Sequence, residues 1–204
     1  MKVSKYWLSE YLDLSKYSDE EFYKIINFKV CEIETYKKMV EATNLTVGLV
    51  KECVMHPDSD HLHVCQVEIR PGEVSQIVCG APNVEAGKKV IVALPGAVLP
   101  GDFKIKPSKI RGVESNGMLC SLQELGIEEK YVDEEFKNGI YLFNDDVEVG
   151  EDPLKVLGFD DTIIDLELTS NRSDLLSIEG VAFDVAAATK QKVYPVCADF
   201  EVSD

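Results

Sequence analysis

The sequence predicts an α+β fold in which a small all-β barrel is inserted into a discontinuous α+β unit. Three observations carry this prediction. Helical spacing and a capping signal occupy the start of the chain. Short runs of Val, Ile and Leu then recur from Leu45 to Phe143, punctuated by Gly, Pro, Asp and Asn, and after Gly150 a strand pattern followed by a helical pattern returns. The two flanking pieces are each too small to bury a core alone, so they are read as parts of one domain, with the barrel between them.

Trp7, Leu8, Tyr11 and Leu12 fall at helical spacing, and Ser18 followed by Glu21 is a capping box ahead of Phe22, Ile25 and Ile26, so two short helices are expected. Cys31, Ile33 and Thr35 alternate with Glu32 and Glu34, the period of a half-buried strand. Met39 to Asn44 reads as a connector. Strands are expected at Leu45 to Val54, Leu62 to Ile69, Ser75 to Cys79, Lys89 to Leu94, Gly117 to Ser121 and Gly139 to Phe143. Between the first two, His56-Pro57-Asp58-Ser59-Asp60 breaks the ladder, because Pro57 has no backbone donor and the Asp and Ser side chains satisfy turn groups locally. Gly80-Ala81-Pro82-Asn83 and Pro100-Gly101 mark further turns. Leu122 to Leu125 fits one helical turn, and Glu128 to Lys137 reads as polar surface. Thr162 to Leu168 then reads as a strand, and Ser177 to Lys190 as a helix with Ile178, Val181, Ala182, Val185 and Ala186 on one face.

With 204 residues, 45% of them hydrophobic, the chain is long enough for one ordinary domain and part of another. No apolar run approaches the roughly 20 residues that span a bilayer, and the first residues lead into charge, so no membrane partner and a cytoplasmic location are expected. The six cysteines are scattered without a C-x-x-C pair and read as reduced thiols packed as small apolar side chains.

A net charge of −16 argues against a polyanionic partner, because affinity for nucleic acid comes largely from Lys and Arg on phosphates. The charge is uneven, however. From Ala86 to Gly112 the basic residues Lys88, Lys89, Lys104, Lys106, Lys109 and Arg111 face a single acid, Asp102, whereas Val113 to Asp161 holds fourteen acids against Lys130, Lys137 and Lys155. This basic island is either a solvated strand face or a phosphate track. Lys104-Ile105-Lys106 would put both lysines on one face with Ile105 inward, and Lys109 and Arg111 would repeat the alternation beyond Pro107. Phe103 is the only aromatic residue nearby, so RNA contact would be directed at the backbone and sensitive to salt.

Two rival chemistries are weaker. His61 and His63, continued by Cys65, could suggest zinc, but residues on one strand face run in a line nearly 7 Å apart rather than around a point. Cys79 before Gly80 could be exposed at a turn, yet no base partner can be inferred for it. The glycines follow turn spacing, and no phosphate-loop or dinucleotide pattern is present. No catalytic residue and no metal ligand is therefore expected.

Val47-Gly48, His56-Pro57-Asp58-Ser59-Asp60-His61-Leu62, the run Gln76 to Val84, Gly117-Met118-Leu119-Cys120-Ser121 and Glu124-Leu125-Gly126, in this order, resemble the tRNA-binding OB-fold domain near the start of the bacterial phenylalanine-tRNA ligase β subunit. The run Asp160 to Leu168, followed by Asn171-Arg172-Ser173-Asp174 and Ile178-Glu179-Gly180-Val181-Ala182, is similar to the stretch that follows that domain. Ser170 and Val30 depart from the family pattern, where Pro and Gly are usual. Of the three histidines only His56 belongs to it, which implies a role in shaping the turn with Pro57.

The resemblance implies a five-stranded OB-fold β-barrel over residues 40–151, inserted into a small discontinuous α+β domain of residues 1–39 and 152–192, with 193–204 beginning a truncated following domain. It implies a parent α2β2 ligase that attaches phenylalanine to its tRNA with ATP and Mg²⁺. The catalytic site of that enzyme lies in the α subunit, so the implied partners are the phenylalanine-specific tRNA and the α subunit, with no cofactor in this fragment. A stand-alone tRNA-binding or chaperone-like OB module, and a purely structural assembly module, remain as alternatives.

Overall fold

The computed structural model describes residues 1–144 and 146–194. In chain order, β1 (Lys2–Ser4) runs into α1 (Lys5–Ser9), followed by α2 (Asp19–Lys29) and β2 (Ile33–Lys38). Four longer strands come next: β3 (Leu45–Met55), β4 (His63–Arg70), β5 (Glu73–Cys79) and β6 (Lys89–Ala93). Short strands β7 (Val98–Leu99), β8 (Phe103–Lys104), β9 (Ser108–Ile110), β10 (Val113–Ser115), β11 (Met118–Leu119) and β12 (Leu142–Phe143) lead to α3 (Pro153–Val156), β13 (Thr162–Leu166) and α4 (Ile178–Thr189). The fold is mixed α+β, in two compact units. One comprises Met1–Met39 with the described residues from Asp161 onward, and the other Val40–Asp160.

In the first unit, β13 is the central strand of an antiparallel sheet of order β1-β13-β2, with Val3 opposite Ile164 and Ile164 opposite Tyr36. Val3, Leu8, Phe22, Ile26, Ile164, Leu175, Val181 and Val185 form its core. The capping box is complete: the Ser18 hydroxyl accepts the Glu21 N–H and the Glu21 carboxylate accepts the Ser18 N–H, which is why α2 starts at Asp19. Helix α1 is shorter than its spacing suggests. It ends at Ser9, leaving Tyr11 and Leu12 beyond it, while residues 2–4 pair with β13 and Ser4 caps the helix by accepting the Trp7 N–H at 2.9 Å. The strand expected from Cys31 to Thr35 lies at Ile33–Lys38, and only Ile33 is half-buried. It is an edge strand with one neighbour, and its covered side is held by Ile33 against the core and by Tyr36 against Tyr23 of α2, their ring centroids 4.1 Å apart. Arg172 draws the end of this unit together, bonding the Asp174 and Asp184 carboxylates and the Val30 carbonyl.

The second unit is a curled antiparallel sheet of order β11-β6-β3-β4-β5, with β12 also beside β6. Its curl follows from how β3 is shared. The first half of β3 pairs with β6, from Leu45 opposite Ala93 to Leu49 opposite Lys89, and the second half with β4, across a register shift between Val50 and Glu52. The outer edge of β5 meets the segment before β11, where the Gln76 carbonyl accepts the Asn116 N–H at 2.8 Å. Strand β6 is buried on both faces: Ile91 and Ala93 enter one apolar cluster, Val90 and Val92 another. This is why Lys89 to Leu94 reads as a continuous apolar run rather than an alternation. Gly48 lies where the sheet is tightest, since a Cβ there would stand 2.6 Å from Val92 Cγ2 and 2.8 Å from Val67 Cγ1.

The polar stretch from Glu128 to Lys137 is surface only in part, because Val132 is buried and Phe136 packs beside it into the core. Two apolar anchors four residues apart hold its two 3₁₀ turns down. The sequence expectation gave the alternation around Lys104 to Arg111 but not the ladders β7–β8 and β9–β10, and Arg111, expected to continue that alternation, lies in the turn between β9 and β10.

Candidate nucleic-acid interface

The basic residues from Lys104 to Arg111 lie on two consecutive segments. Ile105 is buried, its N–H donating to the Ala97 carbonyl and its carbonyl accepting the Gly96 N–H, both at 2.8 Å. Lys104 and Lys106 on either side are exposed, which is the alternation expected of them. Phe103 beside them is 56% exposed, a ring face open to solvent. Strands β9 and β10 then form a hairpin in which Ile110 faces Val113, so Arg111 and Gly112 make a two-residue turn, with φ of 46° and 84°. Positive φ at both positions is the type I′ turn that matches strand twist. Lys109 is exposed, with its Nζ 3.5 Å from the Glu114 carboxylate.

The hairpin is anchored at both ends. At its base the Ser115 hydroxyl accepts the Val78 N–H at 3.0 Å, and Gln76 Nε2 donates to the Glu114 carbonyl at 2.8 Å. At its tip stands His56, only 2% exposed. Its Nδ1 accepts the Asp58 N–H at 3.0 Å, which assigns the proton to Nε2, and Nε2 donates to the Ile110 carbonyl at 3.0 Å. Arg111 Nη1 donates to the Asp58 carbonyl at 2.6 Å. The Asp60 carboxyl in the same loop is held below its ordinary range by its bond to His61 and, more weakly, by Arg111.

Lys88 and Lys89 are not brought to this surface. Lys89 opens β6 beside Leu49 and Phe143, and its Nζ donates to the Val147 carbonyl at 2.5 Å. Lys88 lies 3.5 Å from the Glu85 carboxylate. The 104–106 segment pairs with Gly96 and Ala97, beyond the opposite end of the same strand. Lys104, Lys106, Lys109 and Arg111 thus follow one another along two consecutive segments, and Lys88 and Lys89 lie at the other end of β6.

Beside the hairpin lies an open cleft of about 460 Å³, with Ile110, Met118, Ala81 and Cys79 among its walls and Ser121 and Glu124 on its polar side. The Glu124 carboxylate accepts the Ser121 N–H at 2.7 Å and its hydroxyl at 3.0 Å. Burial pushes the Cys79 thiol up, the opposite of what a nucleophile needs. Among the described residues, no three His, Cys, Asp or Glu side chains converge as metal ligands, and no helix is long and apolar enough to cross a membrane. The sequence reading missed the bridge from His56 to Ile110, and its one available signal was the His-Pro pair at a strand end. Asn83 was likewise read only as a turn residue, whereas its side chain bonds both the carbonyl and the N–H of Ile140, at 2.8 and 3.0 Å.

The chain is 50% identical over 205 residues to the phenylalanine-tRNA ligase beta subunit of Halalkalibacterium halodurans, a match covering all of this chain and 25% of that protein. It is 46% identical over 194 residues to the subunit of the same name in Bacillus subtilis, covering 95% of this chain and 24% of the relative. The chain therefore spans about a quarter of the length of these curated relatives. Among solved structures, a MetRS related protein from Pyrococcus horikoshii aligns over 52% of this chain and 84% of its own, with 27% identity and a TM-score of 0.37. Residues 45–152, which hold the curled sheet, the hairpin and the cleft, match the family model described as "Putative tRNA binding domain", and the chain belongs to that tRNA-binding domain family.

Proposed function

We propose that this chain is a non-catalytic portion of a phenylalanine-tRNA ligase beta subunit, and that its Val40–Asp160 unit is an OB-fold domain that contacts tRNA through its phosphates. The observation that carries the reading is the 50% identity to that subunit along the whole of this chain. A sheet curled by the sharing of β3, with the edge of β5 bonded to the segment before β11, supports a five-stranded barrel interrupting a discontinuous α+β domain. In this reading the parent enzyme joins phenylalanine to its tRNA in the cytoplasm as an α2β2 assembly. ATP and Mg²⁺ then belong to its catalytic part in the α subunit. The residues of this chain that bear on tRNA are Lys104, Lys106, Lys109 and Arg111. Lys88 and Lys89 lie instead at the start of β6, where Lys89 donates to the Val147 carbonyl.

A second reading, a pure assembly module with no RNA role, is favoured by the net charge of −16. One experiment separates the two. Binding of phenylalanine-specific tRNA to this chain is followed across a salt series, beside a variant with Lys104, Lys106, Lys109 and Arg111 all changed to Ala. Each phosphate contact contributes about 0.7 to 0.9 to the slope of log affinity against log salt, so the variant should lose about 3 from that slope along with most of its affinity. No binding at low salt would leave only the assembly reading, and equal binding by the variant would mean that tRNA is held elsewhere than on these four residues.

A further inference from the structure

We propose that His56 is a positioning residue that fixes the β9–β10 hairpin for RNA, an inference that rests on the tRNA-contact reading above. A ribbon of two three-residue strands does not hold its shape in water unaided. Ser115 and Gln76 tie its base to β5, which leaves the tip, where the basic residues are, in need of a separate anchor. His56 supplies it. Burying an imidazole costs free energy that hydrogen bonds to its nitrogens offset, and here both nitrogens are used and face two different segments. One accepts the Asp58 N–H and shapes the loop, and the other crosses 54 residues of sequence to the Ile110 carbonyl. The carbonyl of the same Asp58 receives Arg111. His56 therefore sets both the backbone that precedes Arg111 and the acceptor its guanidinium reaches.

The conformation of Arg111 supports a functional reading. A type I′ turn favours Asn or Gly at its first position, and an arginine at φ 46° is held there against its own preference. Strained residues persist where their surroundings over-determine them, commonly at functional sites. With Ile110 and Arg111 both held, Lys109 and Arg111 meet a phosphate backbone as a preset pair. Little ordering is then left for the moment of binding.

Two substitutions divide the two bonds of the ring. His56→Asn keeps an acceptor for the Asp58 N–H but falls short of Ile110, whereas His56→Gln keeps an amide donor that reaches Ile110. Amide hydrogen exchange of residues 108–115 is measured in the whole chain relative to the β6 amides, so that a general loss of stability does not imitate the effect. Affinity for tRNA is measured beside it. His56→Asn should lose protection in 108–115 and weaken tRNA binding by about tenfold, approaching Arg111→Ala, and His56→Gln should recover both. Should His56→Asn not fold, retained relative protection of 108–115 in His56→Gln is the same prediction. Unchanged protection in His56→Asn, or lost protection in His56→Gln, overturns the anchor. A loosened hairpin with unchanged affinity overturns its use in binding if the four-residue alanine variant still loses tRNA. If that variant also binds normally, the tRNA-contact reading itself has failed.

Discussion

Cys53 and Cys65 stand directly opposite each other on β3 and β4, their sulfurs 3.9 Å apart. Burial, reinforced by the neighbouring Cys53, pushes the Cys65 thiol far above its ordinary value, so Cys65 itself supplies little attacking thiolate near neutrality. A disulfide needs the sulfurs to close to about 2.05 Å, a small movement for side chains already paired across a ladder. Diamide, which takes up the two hydrogens released by a thiol pair, should link Cys53 to Cys65 before any other pair of the described cysteines, because their sulfurs already face each other across the ladder. Cys120, pushed up to about 12 by burial, should stay reduced in the folded chain. Peptide mapping without reductant checks this, and a first link through Cys120 would refute it.

Asn83 and Ile140 predict where the second unit is vulnerable. The amide of Asn83 satisfies both backbone groups of Ile140, and Gly139 leaves room for it, since a Cβ there would come within 2.2 Å of Asn83 Oδ1. Asn83→Ala strands a partly buried N–H and C=O and should destabilise this unit by about 2 kcal/mol in urea unfolding. Gly139→Ala should be comparably harmful, and a neutral result for both would show that this segment carries no stability.

In the first unit, Ser18→Ala removes the acceptor that starts α2 and should cost about 1 kcal/mol. Trp7 is the only tryptophan, so its fluorescence follows this unit through a denaturant titration. Phe22, fully buried one turn later, should cost about 3 to 5 kcal/mol as Phe22→Ala. A cap variant as damaging as the core variant would mean that the helix start, rather than its buried face, holds the unit together.

Acid should weaken the same unit. The Lys5 ammonium holds the Asp19 carboxyl below 3.8, and Lys38 adds to it. The Arg172 fork does the same to Asp174. A carboxyl depressed in the folded state binds fewer protons there than in the unfolded chain. Its contribution is therefore present above the unfolded value and lost as pH falls through the folded one. Stability should hold from neutrality down to about pH 4 and then decline. Asp19→Asn should lower stability at pH 7 and flatten the acid limb, and an unchanged acid limb would remove Asp19 from the account.

Features written in neighbouring residues were legible. The Ser18–Glu21 cap, the buried face of α4 and the long strands β3 to β6 each repeat a local signal, and each lies close to where that signal put it. The inward Ile105 between two exposed lysines was legible for the same reason. Charge counted along the chain grouped Lys88 and Lys89 with Lys104 to Arg111, because a sequence window cannot show that β6 carries the two sets to opposite ends.

The sequence by itself determined the periods, caps and turns, and through the order of its motifs the family to which the chain belongs. Only the tertiary structure decided which distant backbone groups meet: His56 with Ile110, Asp58 with Arg111, Asn83 with Ile140. The physical reason is range. Helical and strand periods arise from bonded neighbours and repeat within a few residues. A buried donor finds its acceptor only after the sheet has curled and brought segments more than fifty residues apart within 3 Å.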